Sequence, residues 1–259
     1  MYDFPEIRDA TNTFWELLAT ELKARGIADT PAHLSRPHDL PAFWSDQRLL
    51  LGQTCGYPYS IGLCGNAKLV ATPVYNAPGC IGPCYGSVII VPATSRIQSL
   101  EDSRGSVCAI NMSDSNTGMN LLRSAIAAIG GKAPFFSAVI ETLSHRNSFS
   151  MVAHGNAQIA AIDGVSFAHF SRIDPQSASE VRVIGETRKT PGLPFITSSE
   201  TTAETLKLLI DAFGAVIHKR PSCLDILMLH DIVRLPPSAY DSILALERDA
   251  ADNGYPYLI

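Results

Sequence analysis

No apolar run in this 259-residue chain approaches the ~20 residues that a membrane-spanning helix needs. It contains no C-x-x-C pair and no His pair at zinc-finger spacing, which argues against a structural metal site. Both G-x-G-x-x-G and G-x-x-x-x-G-K-[ST] are missing, which argues against a nucleotide-dependent enzyme, and no cofactor is expected. Basic residues nowhere cluster and the net charge is −5, which argues against a general nucleic-acid binder as well. The first six residues, Met1-Tyr2-Asp3-Phe4-Pro5-Glu6, have neither a basic n-region nor an apolar h-region. As a sequence this reads as cytoplasmic, or as a chain given without its leader. There is no internal repeat and no low-complexity tract.

What is present is the material of a well-packed α/β protein. Hydrophobic residues make up 46 % and charged residues 17 %, enough to bury a core in one large or two modest domains. Ile7, Ala10, Phe14, Leu17 and Leu18 recur at helical spacing up to Gly26, behind an Asp3/Glu6 pair that resembles a capping box and a Pro5 suited to a first turn. Short β-rich runs follow at 49–53, 67–72, 85–92, 107–111, 157–163, 181–185 and 195–197. Helical patterns occupy 119–129, 144–155, 202–218 and 239–252. Strands alternating with helices predict a mainly parallel α/β architecture. Cys55, Cys64 and Cys108 sit in apolar or strand-like settings. Cys80 and Cys84 are close enough in sequence to pair, but a chain of this size does not need a disulfide.

Asp114-Ser115-Asn116-Thr117-Gly118 is the segment that speaks most directly of a ligand. It joins a strand-like run to a helix-like one. Small hydroxyls and backbone N–H groups at a helix start point at one spot, where the helix dipole favours negative charge. Ser115 and Thr117 can each donate a hydroxyl proton to an oxyanion. The same residue types also make an ordinary N-cap, and Asn116 has solvent as an alternative.

Two Pro/Gly-rich segments, 73–83 and 190–194, bracket a near-neutral stretch. Residues 84–189 carry nine Lys/Arg and eight Asp/Glu, against eleven and seventeen in the rest. This predicts an inserted lobe joined by two crossings to a lobe built from both chain ends; two surface loops in one domain is the plainer alternative. Two crossings would form a hinge, and hinged lobes close on ligands.

Several segments together resemble the phosphate/phosphonate-binding family of ABC-transporter solute-binding proteins. They are Met1–Glu6, Leu51-Gly52-Gln53-Thr54-Cys55-Gly56-Tyr57-Pro58, Ala77-Pro78-Gly79-Cys80, Asp114–Gly118, Ser144-His145-Arg146, Gly155–Asp163 and Pro191-Gly192-Leu193-Pro194-Phe195. No single piece is specific; their order and spacing are. The resemblance implies the two-lobed type II periplasmic-binding-protein fold with a two-strand hinge. Lobe 1 is expected at 1–78 and 193–259, and lobe 2 at 79–192. It implies a small phosphate- or phosphonate-like anion, an ABC-transporter permease as partner, a monomer, and a periplasmic location. Stand-alone homologues without a transporter are the alternative. The site residues it implies are Ser115, Asn116, Thr117 and Gly118 at the helix start, His145, Tyr57 and Asp163.

Each of these has a plainer alternative. His145 follows a capping Ser144, so it sits where a helix dipole disfavours a charged imidazole while a bound anion favours one; binding there is expected to couple to proton uptake. Otherwise it is a surface histidine beside Arg146. Asp163 ends a strand, where ligand crevices open, and would suit an ammonium or an acidic proton on the ligand; its alternative is a helix N-cap. Tyr57 could wall the site, with Tyr2, Gln53 and Thr54 as further contacts and Tyr85 and Ser87 as weaker ones. A competing class is an enzyme with Cys55 or Cys80 as nucleophile and His145 as base, without a recognisable nucleophile motif. Another metabolite on the same fold is a further rival.

Overall fold

The computed structural model describes residues 2–259. The chain divides into two compact units: residues up to Asn76 with Pro191–Ala239, and Ala77–Thr190 with Tyr240–Ile259.

The first unit holds a four-stranded sheet in the order Gly52–Gln53, Phe195–Ser198, Ala67–Tyr75, Leu229–Val233, with every pairing antiparallel. Its core joins Trp15, Leu18 and Leu22 of the helix Arg8–Ala24 to Val70, Phe195, and Leu209, Phe213 and Val216 of the helix Ala203–Lys219. The Arg8–Ala24 helix therefore buries the 15/18/19/22 stripe, and Phe14 and Leu17 only flank it. The expected capping box does not form. Asp3 instead accepts from Thr11 Oγ1 at 2.7 Å and from Arg36 Nη2 at 2.9 Å, while Pro5 opens a 3-10 turn before the helix. Of the run 49–53 only Gly52–Gln53 is strand, and Leu49 is buried beside it.

The second unit holds a five-stranded sheet in the order Ala138–Glu141, Val107–Ile110, Ile159–Asp163, Ser87–Pro92, Val181–Glu186. Val107–Ile110 pairs in parallel with both its neighbours; Ser87–Pro92 pairs antiparallel with both of its own. The expectation of mainly parallel sheets is thus corrected. Parallel neighbours need a crossover connection between them. Ser87–Pro92 and Val181–Glu186, the first and last strands of this sheet in sequence, lie side by side and run antiparallel. Ala138–Glu141 escaped the sequence reading because it is a mostly exposed edge without apolar alternation.

The expected lobe boundaries also need correction at the C-terminus. Residues 240–259 fall in the second unit, not the first. The helix Asp241–Asp252 packs on Leu121–Ala128 and buries Ile243, Leu246 and Ala250. Asn120 Nδ2 donates to Ile243 O at 3.2 Å, Arg123 Nη1 to Pro256 O at 2.9 Å, and Phe135 N–H to Ile259 O at 2.7 Å. An amphipathic pattern says which helix face is buried, not against what.

Cys80 and Cys84 remain separate thiols around the Gly82-Pro83 turn, across which Ile81 and Cys84 exchange backbone hydrogen bonds of 2.9 and 3.0 Å. Among the described residues, no helix is long and apolar enough to cross a membrane.

Candidate functional site

The strand Val107–Ile110 leads into a loop that ends at Ser115. Ser115 is extended and caps the next helix: its Oγ accepts from Gly118 N–H at 3.0 Å. The helix opens with a wide π-type turn, Asn116–Asn120, closed by Asn120 N–H on Ser115 O at 3.0 Å, and continues as Leu121–Ala128. Such turns concentrate at functional sites. The N–H groups of Asn116 and Thr117 head this helix and have no earlier helical carbonyl to meet.

The turn is held from several sides. Ser87 Oγ donates to Thr117 O at 2.6 Å. Asn116 Nδ2 donates to Thr190 Oγ1 at 2.8 Å, and its Oδ1 accepts from Asn120 Nδ2 at 3.2 Å. The Asn116 side chain is therefore tied inward and away from solvent. Gly118 is pressed against Asn111: a Cβ on it would lie 1.7 Å from Asn111 Oδ1 and 3.2 Å from His145 Cε1. Asn111 Oδ1 is buried with no hydrogen-bond partner. Sequence reasoning passed over Asn111 as a site residue; its place at the carboxyl end of a strand was the available signal.

Ser144 caps the helix His145–Ala153 through Asn147 N–H at 3.1 Å, which sets His145 at the first helical position. His145 Nε2 lies 3.0 Å from Thr117 Oγ1, and Asp163 N–H points at His145 Nδ1 at 3.5 Å. Burial pushes the His145 pKa down to about 3, so the imidazole is neutral at ordinary pH. Asp163 ends the strand Ile159–Asp163 opposite Ser87, and its Oδ1 caps the helix Gly164–Ile173 by accepting from Ser166 N–H at 2.8 Å. Ser115, Thr117, Gly118, His145 and Asp163 are thus joined within the second unit.

The remaining candidates lie in the first unit. Tyr57 is buried in the turn Gly56–Pro58. Tyr2 is buried edge-on against Tyr75, ring centroids 5.1 Å apart. Gln53 Nε2 donates to Leu193 O at 3.1 Å and lies 3.3 Å from Tyr75 Oη. Thr54 is buried, with its N–H on Pro194 O at 3.1 Å. Tyr2, Gln53 and Tyr75, with Trp15, Phe43 and Phe195, line an apolar cavity of about 310 Å³ inside this unit, which sequence patterning did not signal.

Of the two candidate nucleophiles, Cys80 is poorly placed to act. The Cys80 thiol is pushed up to about 11 by burial and by the Asp163 carboxylate, so almost no thiolate exists at neutral pH. Among the described residues, no three His, Cys, Asp or Glu side chains gather as a metal site requires.

The neutral histidines have a measurable consequence. Burial also pushes His169 down to about 4. Both lie below the ~6.5 of an unfolded-chain imidazole. Below that value the unfolded chain takes up protons that the folded chain refuses, so stability is full above pH ~6.5 and falls as pH drops toward 4. Denaturant melts at pH 7 and 4.5 should differ by at least about 2 kcal/mol. Replacing both histidines with glutamine should flatten the slope between pH 6.5 and 4.5; an equal slope in that variant would assign the loss to other groups.

A family model described as ABC transporter, phosphonate, periplasmic substrate-binding protein matches residues 9–240. No curated protein matches the chain. Among solved structures, PhnD1 from Prochlorococcus marinus (MIT 9301) in complex with methylphosphonate superposes with a TM-score of 0.77 at 13% identity, covering 94% of each chain. A binding protein component of an ABC phosphonate transporter from Pseudomonas aeruginosa gives 0.75 at 17% identity, covering 93% of this chain and 82% of that one. XAC2383 from Xanthomonas citri, bound to ATP, gives 0.69 at 15% identity, covering 93% and 95%. At such identities the likeness establishes the two-lobed binding-protein fold and nothing finer.

Proposed function

The chain belongs to the family of phosphonate ABC-transporter periplasmic substrate-binding proteins, and from that premise we propose that it binds a small tetrahedral oxyanion of the phosphate/phosphonate class and acts as a monomer. Its place of action is the periplasm, and its partner a permease to which it delivers the ligand. The observation that carries the reading is the buried helix start of the second unit. There a capping serine, a glycine without room for a Cβ and a Thr117–His145 pair stand together. The anion is held by the leading N–H groups and the Thr117 hydroxyl, both favoured by the helix dipole. Tyr57, Tyr2, Gln53 and Thr54 are the first unit's candidate residues for the same ligand. Asn116 contributes through its backbone, since its side chain is engaged elsewhere.

Titration calorimetry against methylphosphonate, 2-aminoethylphosphonate, phosphate, sulfonates and carboxylates tests this. Thr117→Ala removes one hydrogen bond to a charged group, about 1.5–3 kcal/mol, or roughly ten- to a hundred-fold in affinity. Asp163→Asn keeps a good helix cap, so its folding effect is small. It should weaken amino-bearing ligands and spare purely anionic ones. If Thr117→Ala binds the best ligand as tightly as the parent does, the anion lies elsewhere.

A further inference from the structure

We infer that the apolar cavity of the first unit is a second ligand site, shaped for a flat two-ring molecule that is apolar apart from one hydrogen-bond donor. Every residue concerned lies in the first unit, and none of the anion-site residues of the second unit is involved.

Protein interiors are close-packed, and voids larger than a water molecule are few. A cavity of about 310 Å³ is therefore more than folding requires. An apolar cavity of ~150 Å³ already takes benzene, so this one has room for a larger ring system. Its walls are Leu18 and Leu34 with the rings of Trp15, Phe43, Tyr75 and Phe195. Water is a poor filling for such a space, since an enclosed water needs about two to four polar partners. The indole N–H of Trp15 is spent on Pro31 O at 3.2 Å.

The polar groups on the lining are mostly taken up with one another. Asp3 accepts from Thr11 Oγ1 at 2.7 Å and pairs with Arg36 at 2.9 Å. A charged ligand would find no uncompensated partner there. Gln53 is the exception. Leu193 O can only accept, so at 3.1 Å it fixes which end of the Gln53 amide is nitrogen. The second amide proton faces Tyr75 Oη at 3.3 Å. With both protons engaged, Gln53 Oε1 is left to accept. Aromatic walls with one side-chain acceptor select a flat apolar molecule carrying one donor.

One wall can open. Leu34 and Phe43 belong to a strap, residues 31–44, that is irregular up to the short helix Leu40–Trp44. The strap is fastened by Pro31 O on Trp15, by Arg36 on Asp3 and on Asn12 Oδ1 at 2.9 Å, and by Trp44 Nε1 on Gln53 O at 3.1 Å. The middle fastening is an exposed ion pair, which adds little stability. Entry needs the strap to lift while the sheet and the helix Arg8–Ala24 stay in place.

Titration calorimetry with indole tests this. Indole should bind with micromolar affinity, and benzofuran, which has the same shape without the N–H, about ten-fold more weakly. Nuclear Overhauser contacts should run from indole to the methyl groups of Leu18 and Leu34. Leu34→Trp, which fills the cavity from the strap, should abolish indole binding and leave methylphosphonate affinity unchanged. No indole binding at about 1 mM would overturn the assignment, as would equal affinity for benzofuran. So would Overhauser contacts elsewhere, a reading that does not depend on the variant folding. Indole that displaces methylphosphonate would be sitting in the anion site, and would overturn it too. Should methylphosphonate fail to bind the parent, the proposed function fails, while the indole measurements still judge the cavity.

Discussion

A chain ending at Ala239 is expected to lose the second unit as a folded body while keeping the first. In sequence the removed segment, Tyr240–Ile259, is assigned to the first lobe. In the structure it supplies Ile243, Leu246, Ala250, Tyr255 and Leu258 to the buried interior of the second unit. Four of these are large side chains, each contributing about 1.5–3 kcal/mol when buried. Their sum is comparable with the ~5–15 kcal/mol that holds a whole domain folded. Polar losses add to it. Asn120 Nδ2 loses Ile243 O, Arg123 Nη1 loses Pro256 O, and the buried N–H of Phe135 loses Ile259 O. Arg123 also sits 3.6 Å from Glu247. Arg123 keeps Asn120 Oδ1 at 2.6 Å as an acceptor, and a guanidinium that loses part of its partners costs more than a neutral group does. Amide hydrogen exchange gives the readout. Protection should vanish in Val107–Ile110 and Ile159–Asp163 and persist in Ala67–Tyr75. A truncated chain with parental protection in all three strands would show that the last twenty residues only lie on the surface of the second unit.

Gly118→Ala should cost the site its shape, against what helix propensity says. Gly118 is inside a helix with no positive φ, so alanine there would ordinarily gain about 1 kcal/mol. Space decides the sign instead. The new methyl would arrive 1.7 Å from Asn111 Oδ1 and 3.2 Å from His145 Cε1. Asn111 must swing away, and the His145 ring beside Thr117 must give by a few tenths of an ångström. Overpacking of this kind costs ~1–3 kcal/mol. We expect a net destabilisation of about 2 kcal/mol and a loss of anion affinity of roughly a hundred-fold or more, since the Thr117–His145 pair and the capped turn move together. The control is Asn111→Ala. Its Oδ1 has no partner to lose, so alone it should be nearly neutral. Combined with Gly118→Ala it should restore most of the stability. If Gly118→Ala is more stable than the parent, or if Asn111→Ala gives no relief, the contact between these two residues is not what requires the glycine.

The helix-start segment was legible because its chemistry is local. Ser115 caps three residues ahead and Ser144 does the same, and both caps follow from residue type and spacing. Asp163 likewise caps its helix as its position at a strand end allowed. The capping box at Asp3 did not form because a distant partner, Arg36, offered a stronger contact than the local N–H groups. His145 was placed correctly at a helix start, but its charge state was not legible. Burial sets it, and burial comes from segments far away in sequence.

The sequence by itself determined the α/β class, the unit boundaries near Asn76 and Thr190, and the helix caps at Ser115, Ser144 and Asp163. All of these rest on local periodicity, turn chemistry and short-range hydrogen bonds. Only the tertiary structure decided the sheet directions, the home of the last twenty residues, the pairing of Thr117 with His145 and the fit of Asn111 over Gly118. These depend on which apolar face meets which and on how little space is left between them. Close packing fixes such matters in three dimensions, and one-dimensional patterning does not record them.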